Sequence, residues 1–188
     1  ARTLGARLEN WHLNASILPS AALLRERGGI PCATGKSILM RKEDLERLGG
    51  LESVGDYLVE DYVLEDRMRK AGKRVIVSSA PLESLNVYRT VREFLSRHAH
   101  GNRLRLSIAG PAYSFEFFAN PIPFALLLLA GSGFSAWGAA LAGAAAAWKI
   151  ALDAVLQWRL GEGKELRWVW LGPLRDLLVG CLWVSAFF

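Results

Sequence analysis

The sequence has 188 residues, 52% of them hydrophobic, with a mean hydropathy of +0.19 and a formal net charge of +5. This length is enough for one domain with a hydrophobic core, but the mean hydropathy is high for a soluble protein. The two cysteines, Cys32 and Cys181, have no metal-like spacing, which excludes a disulfide framework and indicates thiols in a reducing compartment.

Charge is unevenly distributed along the chain. Residues 1–110 carry 18 Lys/Arg against 13 Asp/Glu, whereas residues 111–188 carry 5 against 5. A basic head followed by an apolar tail predicts a domain on an anionic membrane face, where each basic residue contributes about 1 kcal/mol. We expect no nucleic-acid partner, because the cations are interleaved with acids and no basic-aromatic module is present.

The first segments predict a mixed α/β head. Residues 28–37 invite a phosphate-loop interpretation, but Ile30 stands where the first glycine is required, so we reject a nucleotide triphosphatase. The pattern instead predicts a strand, a turn at Thr34–Gly35 and a second strand, then a helix over 41–48 stopped by Gly49–Gly50. Residues 73–79 predict a buried strand. Lys36, beside the turn, is a candidate phosphate contact, with a solvated lysine as the alternative.

An acidic stretch, residues 55–66, carries five carboxylates within eleven residues. Its apolar positions recur at helical offsets, which places Asp61 in the first turn of a helix that runs to Ala71–Gly72. A half-buried carboxylate there can accept a proton from an attacking hydroxyl. The alternative is ordinary capping, because acidic residues stabilise a first helical turn.

The second half of the chain predicts membrane elements. In residues 89–107 arginines alternate with apolar residues, which is typical of a helix in the membrane interface. Residues 117–148 contain no charge, and we expect two spans, about 113–130 and 134–155, with one tilted helix as the alternative. Lys149 and Asp153 are spaced to pair. The charged connector 157–167 predicts a cytoplasmic side shared with the head. Arg175–Asp176 within residues 168–188 predicts an interfacial or re-entrant element whose ion pair faces protein, water or a headgroup.

Several motifs in order carry a resemblance to a known family. Residues 34–42, then Leu48–Leu51, then Tyr57–Tyr62 and finally 170–178 together resemble membrane lipid glycosyltransferases of the ceramide glucosyltransferase type, including the bacterial hopanoid-pathway relatives. The resemblance implies a GT-A fold, an α/β architecture, of which this chain is the C-terminal part. It implies a UDP-sugar donor, a lipid acceptor such as ceramide or a hopanoid, and transfer of a hexose, expected to be glucose, with inversion.

The resemblance also implies the site residues. Asp61 is the expected general base, and the expected substrate-binding residues are Glu60, Gly35, Lys36, Ser37, Arg97 and His100. In the family's Gln/Arg-x-x-Arg-Trp motif the second Arg and the Trp contact the donor, but here His100 and Gly101 replace them. A neutral His lacks an arginine's bidentate grip on phosphate.

The expected organisation has three parts: residues 1–88 form the acceptor-side half of the catalytic domain, 89–110 an interfacial helix and 111–188 a membrane region of two to three helices. The start at Ala1 lacks an initiator Met and a signal core, and the family's Asp-x-Asp half has no counterpart, so we expect a fragment that is inactive alone. A divalent metal, Mg or Mn, is expected for the whole enzyme with ligands outside this chain. We expect an integral membrane protein of the bacterial inner membrane, with its catalytic part on the cytoplasmic side. The alternatives are a non-catalytic membrane-anchored module, a degenerate or split enzyme, and a processive polysaccharide synthase.

Overall fold

The computed structural model describes residues 1–28, 37–78, 82, 84–160 and 163–188, and these residues divide into two compact units. Unit 1 comprises residues 1–16 and 85–188, and unit 2 comprises residues 17–84. The α-helices in chain order are α1 Leu4–His12, α2 Leu18–Gly28, α3 Lys42–Arg47, α4 Glu60–Lys70, α5 Val91–Ala109, α6 Pro121–Gly131, α7 Ala136–Arg159 and α8 Gly172–Ser185. A π-helical turn, Leu13–Ile17, follows α1, and 3₁₀ segments cover Glu52–Val54, Gly110–Ala119 and Gly163–Leu171.

The predicted α/β class, and with it the GT-A domain, is wrong for the described residues, which form helices and no strand. The strand predictions depended on the β propensity of short apolar runs. A strand also needs a neighbouring strand for its backbone hydrogen bonds and a face to bury. Neither condition holds at the segments that are described, where Leu39 is 100% exposed and Ile76 is 68% exposed. The turn at Thr34–Gly35 lies outside the described residues.

Unit 2 contains the helix predicted at 41–48 and the helix predicted to carry Asp61 in its first turn and to run to Ala71–Gly72, and α3 and α4 confirm both. Each helix ends where the backbone takes a positive φ at glycine, +96° at Gly49 and +75° at Gly72. Only glycine adopts this conformation without strain, so the glycines terminate the helices as the sequence indicates.

Unit 1 is built on α1 and α5, which meet at their N-terminal ends. The Thr3 hydroxyl donates to the Arg89 carbonyl at 2.7 Å, and Thr90 and Glu93 form a capping box that begins α5. The helices approach so closely that a Cβ at Gly5 would lie 2.3 Å from the Thr90 backbone. Trp11 of α1 and Phe94 of α5 are both buried in the core of unit 1.

The membrane region of unit 1 contains one helix long and apolar enough to cross a bilayer among the described residues, namely α7. This matches the second predicted span. The first predicted span is broken, because the 3₁₀ segment ends at Ala119 and α6 restarts at Pro121, which cannot continue the preceding helix. Within the part of the chain that the structure describes, a second crossing exists only if residues 91–118 and α6, which meet at 63°, count as one bent span.

Candidate functional site

The predicted base Asp61 lies in the first turn of α4, as expected. Its Oδ1 accepts the Tyr62 backbone N–H at 2.8 Å, and its side chain is half-buried, while Glu60 beside it is exposed. The helix has no side-chain cap at Val59, so the two carboxylates supply the negative charge that its N-terminal N–H groups favour. Capping and proton acceptance are therefore both compatible with this position.

Helix α4 is held in place by contacts on its opposite end and its buried face. Arg67 donates to the Ser53 hydroxyl at 2.6 Å and to the Ser53 carbonyl at 3.2 Å, which fixes the loop that precedes the helix. Glu65 is buried and pairs with Arg25 of α2 at 2.9 Å. These contacts, with buried Leu64 and Met68, set the orientation of the turn that carries Asp61.

The other predicted site residues do not share one unit. Ser37 is exposed in unit 2, whereas Gly35 and Lys36 lie outside the described residues. Arg97 and His100 are exposed on α5 in unit 1. The structure therefore places the expected base Asp61 in unit 2 and Arg97 and His100, the expected diphosphate contacts, in unit 1.

Arg97 is anchored by a residue that the sequence analysis missed. Glu9 of α1 is fully buried, and its carboxylate lies 3.3 Å from the Arg97 Nε and 3.0 Å from the His98 Nε2. Burial raises the pKa of the Glu9 carboxyl, but the His98 hydrogen bond and charge, with Arg97 and Arg89, lower it below its ordinary value. The spacing of residues contained a signal for Glu9. It lies four positions after Gly5 and three before His12, so the three residues share one face of α1, and this face is buried.

His12 extends this cluster towards the interior of unit 1. Its ring meets the His98 ring edge-on at a centroid distance of 4.5 Å, and it is 3% exposed. Burial, followed by the charge of His98 and Arg175, holds the pKa of His12 well below its usual range. For His12 the sequence leaves two alternatives, a ligand contact and a histidine packed beside Trp11, and its burial favours packing.

A second buried network joins α1, α7 and α8 and was only partly predicted. Arg175 is 0% exposed; its Nε donates to Asp176 at 2.9 Å, its Nη2 lies 3.2 Å from Asp153, and its Nη1 donates to the Trp11 carbonyl at 3.0 Å. Lys149 pairs with Asp153, as predicted, and lies 3.6 Å from Asp176. Two cations thus neutralise two carboxylates inside the protein, so this network holds helices together and offers no unpaired charge to a ligand.

No group of three His, Cys, Asp or Glu side chains among the described residues is arranged to hold a metal ion. The divalent metal expected for the whole enzyme stays a prediction.

Comparison with known proteins gives a family and two relatives. The profile of glycosyl transferase family 21 matches residues 1–188. The chain is 31% identical over 80 residues to Ceramide glucosyltransferase 1 of Caenorhabditis elegans, covering 43% of this chain and 17% of that protein. It is 30% identical over 97 residues to Ceramide glucosyltransferase 3 of the same organism, covering 52% and 21%. The chain spans about a fifth of the length of these curated relatives, and no solved structure matches it.

Proposed function

Because the chain belongs to glycosyl transferase family 21, we propose that the protein transfers a sugar from an activated donor to the hydroxyl of a membrane lipid. The predicted resemblance to ceramide glucosyltransferases is confirmed by the family match and by two relatives of that name. The finer proposal is a UDP-hexose donor, expected to be UDP-glucose, with ceramide or a hopanoid-type lipid as acceptor.

Asp61 is the proposed general base. Its place in the first turn of α4, half-buried and oriented by Arg67 and Glu65 contacts further along the helix, supports this role. The carboxylate takes the proton of the lipid hydroxyl while the hydroxyl oxygen bonds to the anomeric carbon. The bond from that carbon to the donor diphosphate breaks with its electron pair staying on the diphosphate, and a single displacement inverts the configuration.

The remaining predicted residues have supporting roles in this proposal. Arg97 and His100 contact the donor diphosphate, and the remaining substrate-binding residues are Glu60, Gly35, Lys36 and Ser37. Bound Mg or Mn in the whole protein would supply charge neutralisation to the leaving diphosphate, through ligands outside this chain. Helix α7 crosses the membrane, and the catalytic part with the connector 157–167 lies on the cytoplasmic side, the bacterial inner membrane being the expected location.

The test is Asp61→Asn in the whole protein, with Asp66→Asn as the matched control. Asp66 lies on the same helix, pairs with Lys70 at 2.7 Å, and undergoes the same chemical change. General-base removal is expected to lower kcat by about 10² to 10⁴ with little change in KM, whereas Asp66→Asn keeps wild-type turnover. Labelled sugar in the lipid extract is the readout, and near-normal turnover of the Asp61 variant would show that the assignment is wrong.

Two alternatives to lipid glycosylation predict different results in the same assay. A polysaccharide synthase would leave label in polymer and none in the lipid extract. A non-catalytic membrane-anchored module is favoured by His100 and Gly101, which replace the family's Arg and Trp. That alternative predicts that the wild-type protein transfers no sugar while still partitioning into membranes.

A further inference from the structure

Positive charge in unit 2 is concentrated at the end of α4 and just after it. Five cations lie within residues 67–74, and the next acidic residue after Asp66 is Glu83. Arg67 is committed to Ser53 inside the unit, and Lys70 pairs with Asp66. The remaining three, Arg69, Lys73 and Arg74, line one open cavity.

This cavity, which we name the basic groove, has a volume of about 740 Å³ and is lined by Arg25, Glu26, Arg69, Gly72, Lys73, Arg74, Val75 and Ile76. Four cations therefore face a space that contains one lining carboxylate. Arg25 is held by Glu65 at 2.9 Å and Lys73 by Asp44 at 2.7 Å. Among the described residues no carboxylate lies within ion-pair distance of Arg69 or Arg74, and both side chains are exposed.

Exposed aliphatic residues accompany the cations of the basic groove, which distinguishes it from an ordinary charged surface. Ile76, which lines the groove, is 68% exposed, and Val77, the next residue in the chain, is 42% exposed. Exposed aliphatic residues beside arginines are the composition of surfaces that lie at the boundary between lipid headgroups and acyl chains. A soluble phosphate would use the arginines and leave these side chains in water.

We propose that the basic groove is a docking surface for the phosphate headgroup of an anionic phospholipid, with Arg69 and Arg74 as its principal contacts. The two arginines bind the phosphate oxygens through charge-assisted hydrogen bonds, while Ile76 and Val77 enter the interfacial layer. Arg69 lies in the last turn of α4 and the proposed base Asp61 in its first, so the groove arginine and the base are at opposite ends of the helix. The docking proposal rests on the proposed function only in assuming that the protein acts at a membrane, and its test requires no sugar transfer.

The experiment measures retention of lipids by the detergent-solubilised protein in native mass spectrometry, titrated with phosphatidylglycerol, phosphatidylcholine or inorganic phosphate. The variant is Arg69→Gln with Arg74→Gln. The matched control is Arg41→Gln with Lys42→Gln, which removes two exposed cations of the same unit outside the groove. If each groove arginine contributes what a basic residue contributes at an anionic surface, the affinity for phosphatidylglycerol falls about thirtyfold in the groove variant, while the control stays within about threefold of wild type.

Each outcome decides the proposal. Selective retention of phosphatidylglycerol over phosphatidylcholine, lost only in the groove variant, supports it. Equal losses in both double variants would reduce the effect to net charge and overturn it. Binding of inorganic phosphate at the same concentration as the lipid, with no gain from the acyl chains, would assign the groove to a soluble anion and also overturn it. Selective retention of phosphatidylglycerol by a wild-type protein that transfers no sugar would support this proposal and count against the proposed function.

Discussion

Replacing Arg175 by Met tests whether the buried network stabilises unit 1. Arg175 is 0% exposed and contacts two carboxylates and the Trp11 carbonyl, so its removal leaves Asp153 and Asp176, both buried, with Lys149 as their cation. Breaking a buried pair by deleting one partner costs about 3–5 kcal/mol. For a chain of this length that corresponds to a fall of about 6–20 °C in Tm.

The assay is thermal unfolding of the purified protein in detergent, followed by tryptophan fluorescence. Arg103→Met, an exposed arginine on α5, is the control and is expected to change stability by no more than about 0.5 kcal/mol. Adding Asp176→Asn to Arg175→Met removes one orphaned charge and is expected to restore part of the loss. If Arg175→Met unfolds no earlier than Arg103→Met, the network is not a stabilising element and the reasoning fails.

Three further outcomes are expected. Lowering the pH through 6.5, the ordinary pKa of histidine, should destabilise unit 1, because His12 binds a proton in the unfolded chain but stays neutral when buried in the folded one. Thermal scans measure this fall of Tm with pH, and in His12→Gln this contribution to the fall should disappear. Gly5→Ala should cost about 1–3 kcal/mol, since its Cβ meets the Thr90 backbone at 2.3 Å, and chemical denaturation measures this. On α7, Trp137 and Trp158 lie about 31 Å apart with Trp148 near the middle, so brominated lipids labelled deep in the acyl chains should quench Trp148 most; equal quenching of all three would place α7 flat in the interface.

The helices could be predicted because their signals are local. Helix α4 has acids in its first turn and a glycine after its last, and α7 has an uninterrupted apolar run with Ser135 as its N-cap. Periodicity and capping depend on residues a few positions apart, so the sequence contains them completely.

The strands were mispredicted because strand pairing, unlike helix formation, depends on residues far apart in the chain. Residues 73–77 have strand-like composition, but whether such a run pairs depends on a partner elsewhere in the chain, and composition does not specify one. The buried network shows the same limit. The spacing of four residues revealed Lys149 and Asp153, whereas Arg175 and Trp11 are 164 residues apart and nothing local relates them.

The contact between Glu9 and Arg97 bears on whether the altered donor motif still functions. The sequence suggests a weak site, because Arg97 stands without the second arginine that the family has. In the structure the Arg97 Nε lies 3.3 Å from a fully buried carboxylate, while 52% of the side chain remains exposed. A free arginine loses about 1.5–2 kcal/mol of side-chain entropy when a ligand fixes it, and Glu9 has already removed part of that cost. Because the contact uses Nε, the two terminal nitrogens retain their donors for phosphate oxygens. One anchored arginine is therefore a better diphosphate ligand than one mobile arginine, and the replacement by His100 and Gly101 is weaker evidence for a degenerate enzyme than the sequence alone suggests.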